Sequence, residues 1–175
     1  MHSMANRNSR KISATDNRVK IVAFGSYHSG KTTFIRCINP NPLSTEAKNH
    51  DGSTTVALDL AIKDYKGFRL FVYGTPGQER FETAREVVSF GLHAGIVIVD
   101  STRGMTDFEK RMVSELKMKN VPYIILANKQ DLPGASVDRV RMDAGYTGVV
   151  MPVSAATGQG IDRVLDAIVE IVKGL

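Results

Sequence analysis

The stretch Gly25-Ser26-Tyr27-His28-Ser29-Gly30-Lys31-Thr32 has the spacing G-x-x-x-x-G-K-[ST], and its residue types answer the needs of a bound polyphosphate. Glycines at both ends let a loop wrap so that successive backbone N–H groups point inward, and a helix starting at its end adds the positive pole of its dipole. Lys31 supplies a mobile cation for the outer phosphates, and the Thr32 hydroxyl is placed to ligate Mg²⁺. Tyr27, His28, Ser29 and Thr33 fall within reach of the same ligand. The context is also right: the apolar run Val19, Ile21, Val22, Ala23 and Phe24 precedes the loop, and a helical segment through Ile38 follows it. A glycine-rich turn matching by accident is the competing reading, and that strand and helix context makes it less probable.

A second constellation, Asn128-Lys129-Gln130-Asp131, reads N-K-x-D and follows the apolar run Val121 to Leu126. A carboxylate can accept two parallel hydrogen bonds from adjacent ring and exocyclic N–H groups. Guanine offers that pair and adenine does not, so Asp131 is read as the specificity residue. Asn128 is expected on the other edge of the base and the Lys129 stem along its face. After the last apolar run, Ser154-Ala155-Ala156 places small residues where backbone N–H groups could approach the guanine O6. Each signal is weak alone; their order behind a phosphate loop makes coincidence improbable.

The elements that must position these residues follow from periodicity. Asn39-Pro40-Asn41-Pro42 ends the first helix, and a polar loop is expected from there to Ser53. Val56, Leu58, Leu60 and Ile62 alternate with polar or small residues, the period of a half-buried strand; Tyr65-Lys66-Gly67 reads as a turn and Phe68 to Tyr73 as the returning strand. Phe81 to Leu92 is expected to be helical. Continuous apolar runs at Ile96 to Val99, Val121 to Leu126 and Val149 to Val153 suit strands covered on both faces, separated by helices near Thr106 to Met118 and Ser136 to Met142. Ile161, Val164, Leu165, Ile168 and Val172 mark one face of a final helix. Such alternation predicts a doubly wound α/β sheet, with ligands at the carboxyl ends of its strands.

Over residues 18 to 173 the chain resembles a small GTPase of the Ras, Rab and Arf superfamily. That resemblance implies a P-loop NTPase fold with a six-stranded, mostly parallel sheet, one antiparallel edge strand and helices on both faces. Thr55 matches the switch I threonine that engages Mg²⁺ and the γ-phosphate. Gly77 and Gln78, in Gly74-Thr75-Pro76-Gly77-Gln78-Glu79-Arg80, match the switch II glycine and the glutamine that orients the attacking water. The implied catalytic set is Gln78, Thr55 and Lys31, with Thr32 and Thr55 on the metal, and the ligands are Mg²⁺ and GTP or GDP. Hydrolysis in such enzymes rests on positioning and electrostatics, and loss of the γ-phosphate releases the loops.

Two positions depart from the pattern. Gly74 stands where the family has its metal-associated aspartate, and Tyr27 where Ras has glycine. Asp100, at the end of a neighbouring strand, is one candidate to compensate for Gly74; capping the loop Ser101-Thr102-Arg103-Gly104 is its plainer role. Arg80 is shared with Rab-like relatives and is not read as an internal arginine finger. The Gly-Thr-Pro-Gly-Gln segment is similar to a prokaryotic branch of small GTPases, so a bacterial or archaeal origin is expected.

The bulk composition sets limits. The chain has 175 residues, enough for one domain with a sizeable core. Residues 1–17 read as a polar basic arm and 18–175 as the G domain. The 23 lysines and arginines exceed 18 acids for a formal charge of +5, but no aromatic residues interleave with the basic arm for base stacking, so no nucleic-acid partner is expected. The single Cys37 excludes an internal disulfide and suits a reducing cytosol. No signal peptide, membrane span or lipid-anchor motif is apparent. A cytoplasmic monomer is expected, with effectors and regulators binding the switch loops 39–55 and 74–92. Three functions compete: a switch that hydrolyses GTP slowly, a guanine-nucleotide-binding module without useful turnover, and a P-loop kinase, which would leave N-K-x-D, Thr55 and Gln78 unexplained.

Overall fold

Seven strands form one sheet in the order β2-β3-β4-β1-β5-β6-β7. The computed structural model describes residues 16–48, 55–75 and 90–175. The strands are β1 (Arg18–Phe24), β2 (Leu43–Lys48), β3 (Thr55–Tyr65), β4 (Phe68–Gly74), β5 (Ala94–Asp100), β6 (Tyr123–Asn128) and β7 (Val149–Pro152). The helices among the described residues are α1 (Lys31–Ile38), α2 (Asp107–Met118), α3 (Val137–Asp143) and α4 (Ile161–Lys173). The helix expected over Phe81 to Leu92 lies outside the described residues except for its end, where Phe90 and Gly91 form a turn.

The sheet is the expected α/β design with one more strand. The polar stretch read as a loop contains β2, which pairs antiparallel with β3 from Leu43↔Leu60 to Lys48↔Thr55. β3 is in turn antiparallel to β4, so β3 alone runs against the others and is covered rather than being the edge. The expectation failed because an edge strand can leave side chains in water, Leu43 being 56% exposed, and so lacks the apolar alternation that marks a half-buried strand. The same physics acts at the opposite edge. β7 was expected to be covered on both faces, yet Val149 is 56% exposed.

The central strands carry the apolar runs for the reason anticipated. Every residue of β5 but Asp100 is buried, because helices cover both of its faces. On one face, Ile21, Ala23, Val72 and Ile98 pack with Phe34, Ile35 and Ile38 of α1 and with Val164, Leu165, Ile168 and Val172 of α4. On the other, Val22, Val97 and Ile125 meet Met112, Val113 and Leu116 of α2 and Val140 of α3. Six buried aliphatic residues on α4, at roughly 1.5–3 kcal/mol each, fix that helix to the sheet far more strongly than its intrinsic propensity could. Lys66 and Gly67 both have positive φ, 47° and 84°, giving the two-residue turn that matches strand twist in the β3–β4 hairpin.

Candidate functional site

The phosphate loop leaves the carboxyl end of β1 and feeds directly into α1. His28 and Gly30 both adopt left-handed backbone, with φ of 63° and 99°, and bracket the buried Ser29. The motif glycines are also required by packing. A Cβ on Gly25 would stand 2.5 Å from the Ile98 carbonyl oxygen, and one on Gly30 would stand 2.3 Å from Asn128 Nδ2, distances real Cβ atoms do not tolerate. The loop is therefore seated against the β5 backbone at Ile98 and against the Asn128 side chain at the end of β6.

Inside the loop, Lys31 Nζ donates to the carbonyl oxygens of Gly25 at 2.6 Å and Ser26 at 3.0 Å, so the ammonium arches over the segment meant for phosphate. Thr32 and Thr33 are exposed in the first turn of α1, and Tyr27 projects into solvent at 65% exposure with its ring 3.8 Å from that of His28. The Ser29 hydroxyl is buried with no hydrogen-bond partner among the described residues, an unsatisfied oxygen in the wall of the cradle.

Asn128 joins this loop to the base side. Its Nδ2 donates to the Ser29 carbonyl at 3.0 Å, and its Oδ1 accepts from the Ala155 N–H at 3.0 Å. The residue expected on one edge of the base thus braces two loops against each other, with one amide proton left for a ligand. Ser154 donates through Oγ to Asp131 Oδ1 at 2.7 Å, which orients the carboxylate and leaves Oδ2 for a base. Two of the N–H groups expected to face O6 are engaged within the protein: Ser154 N–H bonds Gln159 O and Ala155 N–H bonds Asn128. Buried backbone donors require such partners. Of the three, Ala156 keeps the N–H without a bond to another described residue.

Lys129 and Asp100 are joined beside the base loop, and Asp100 takes its plainer role as a loop cap. Lys129, at φ 68°, extends its Nζ to Asp100 Oδ2 at 2.9 Å, while Asp100 Oδ1 accepts from the Thr102 N–H at 3.0 Å and hydroxyl at 2.6 Å. The carboxylate offered as compensation for Gly74 is thus held by the loop it caps. Burial works against its ionised form, but the bonds from Thr102 and Lys129 outweigh burial and hold its pKa below the ordinary carboxylate value. Cys37 is partly packed: its Sγ donates to Ala155 O at 2.9 Å, and burial pushes the thiol pKa up.

Glu109 was missed. Buried on the first turn of α2, it accepts the Ser26 N–H at Oε1 at 2.9 Å and the Thr106 N–H at Oε2 at 2.8 Å. The Thr106-x-x-Glu109 spacing is a helix-start signature, but nothing in it points to a residue 83 positions away. Gly77, Gln78 and the side chain of Thr55 lie outside what is described; Thr55 contributes the first residue of β3.

The model of one protein family, the elongation factor Tu GTP binding domain, matches residues 16–174. The chain belongs to this family. As a GTP-binding G domain it is 33% identical to an uncharacterized protein of Methanocaldococcus jannaschii over 116 residues, covering 66% of this chain and 73% of the relative. It is 31% identical to translation initiation factor IF-2 of Clostridium botulinum over 162 residues, covering 85% of this chain and 22% of the factor. The chain therefore spans about a fifth of the length of that relative. The G domain of the T. maritima FeoB iron transporter shares the fold at TM-score 0.68 and 21% identity, covering 88% of this chain and 98% of that one. The resemblance drawn from motifs thus holds at the level of the GTP-binding G domain, and the matching family is of the elongation-factor type. Among the described residues no helix is long and apolar enough to cross a membrane.

Proposed function

We propose that this G domain is a guanine-nucleotide switch that hydrolyses GTP slowly with Mg²⁺. The observation that carries the reading is the Asn128 bridge, which ties the phosphate loop at Ser29 to the base loop at Ala155, so that occupancy at one end is felt at the other. Lys31 exchanges the Gly25 and Ser26 carbonyls for outer phosphate oxygens when nucleotide arrives. Asp131, aimed by Ser154, accepts the two guanine N–H groups. Among the described residues no group of three or more His, Cys, Asp or Glu forms a metal cluster, and the exposed Thr32 hydroxyl in the first turn of α1 is the kind of ligand Mg²⁺ takes beside phosphate and water. Thr32 and Thr55 would hold the ion, which supplies charge neutralisation of the phosphates when bound. Gln78 orients the attacking water, and the loops 39–55 and 74–92 are the surfaces for effector and regulatory proteins.

A module that binds without turnover is the second reading, favoured by Gly74 in place of an acid and by Tyr27 standing on the phosphate loop. Competition of GTP with ATP, followed by single-turnover phosphate release with Mg²⁺ and with chelator for wild type and Gln78→Leu, tests both. The switch requires GTP preference and a Mg²⁺-dependent release that Gln78→Leu slows without weakening binding. Release equally slow in both proteins supports the module, and ATP preference overturns both readings.

A further inference from the structure

We infer that Asp59 supplies, from β3, the carboxylate that Gly74 lacks on β4, acting on the Mg²⁺ side of the phosphate loop; this rests on the metal-dependent reading above. Asp59 and Gly74 are directly paired across the antiparallel β3–β4 ladder, and directly opposed residues place their side chains on the same face of a sheet. A Cβ on Gly74 would lie 3.7 Å from Asp59 Cβ and 3.4 Å from Ile35 Cγ1. Ile35 follows Thr32 by three residues on α1, so the two share one side of that helix. Three features therefore converge at one corner: the threonine end of α1, the position where the acid is missing, and an acid one strand away.

Among the described residues nothing gives Asp59 a plainer occupation. On its face of the sheet Ala61 and Val72 are fully buried under α1, and Asp59 ends that apolar stripe half-buried. Its carboxylate makes no hydrogen bond or ion pair with another described residue. A partly desolvated charge beside aliphatic side chains costs free energy unless a cation or donor compensates it. Mg²⁺ retains several waters, and an acid that accepts from one of them can stand on either strand provided it reaches the same corner. Asp100, by contrast, is already engaged by Lys129 and Thr102.

The test uses the full chain loaded with a fluorescent GDP analogue, its release rate followed as free Mg²⁺ is titrated. For wild type, release slows as Mg²⁺ rises. Asp59→Asn keeps the shape and removes the charge; its half-saturating Mg²⁺ should rise about 10- to 100-fold, the usual penalty for an outer-sphere partner, with metal-free release unchanged. In Asp59→Ala combined with Gly74→Asp, the acid is returned to β4, where the space beside Ile35 admits a Cβ, and half-saturation should return to within a few-fold of wild type. If wild-type release ignores Mg²⁺, the metal-dependent reading fails and this inference with it. If wild type responds and Asp59→Asn titrates identically, Asp59 is a solvated carboxylate and the inference alone is overturned.

Discussion

The carboxylate of Glu109 accepts the main-chain N–H of Ser26 at 2.9 Å, which fastens the start of the phosphate loop to the first turn of α2. Glu109 is 1% exposed, and its second oxygen takes the Thr106 N–H. Glu109→Gln retains the volume but replaces one acceptor oxygen by a donor, so either Ser26 or Thr106 loses its partner. A buried donor left unpaired costs about 1–3 kcal/mol. Denaturant unfolding of the nucleotide-free protein should show a loss in that range, and GDP release should accelerate several-fold. Unchanged release would confine Glu109 to helix capping.

Asp131 should decide the base. In Asp131→Asn one charged acceptor is lost and a donor faces the N1–H or N2–H of guanine. A lost charge-assisted bond together with an unpaired group predicts a GTP affinity lower by about 2–4 kcal/mol. Xanthosine triphosphate, which carries an oxygen where guanine has its exocyclic amine, should recover part of it. Equilibrium titrations with both nucleotides check this, and an undiminished GTP affinity would place the base elsewhere.

Ser29 carries a buried hydroxyl without a partner among the described residues. Removing an unsatisfied buried polar atom is stabilising, by about 1 kcal/mol, so Ser29→Ala should unfold at higher denaturant in the nucleotide-free state. Nucleotide affinity should move the other way and fall several-fold, as the wall of the cradle loses an oxygen able to exchange hydrogen bonds with ligand or water. A variant that is more stable and binds as well as wild type would leave this hydroxyl a packing defect.

Asp100 predicts the acid limit of the base loop. Its folded-state pKa lies below the ordinary carboxylate value, so its contribution to stability is fully present above that ordinary value and is lost as pH falls through the lowered one. Wild type should therefore melt above Asp100→Asn at neutral pH, and the gap should close in acid, below about pH 4. Thermal melts of both proteins from pH 7 to pH 2 measure it. The Mg²⁺ titration of Asp100→Asn should match wild type, since Lys129 and Thr102 already engage the carboxylate.

Local chemistry made the phosphate loop, the N-K-x-D segment and the central strands legible, because each carries its requirement in consecutive residues. Gly25, Gly30, Lys31 and Thr32 are restricted by what a polyphosphate needs, and β5 and β6 announce themselves by apolar runs that only two-sided burial permits. The edge strand β2 was not legible, since solvent on its surface removes the apolar alternation that would mark it. Nor were the partners of polar groups. Asn128 and Asp131 were recognisable as a motif, but only the tertiary structure turns Asn128 toward Ser29 and Ala155, sets Lys129 on Asp100 and delivers Glu109 to Ser26. The same holds for Asp59 and Gly74, fifteen residues apart in sequence and opposite each other through hairpin register. Hydrogen bonds and strand pairings join residues across the chain, and a sequence specifies them only through the fold that brings their ends within 3 Å or so.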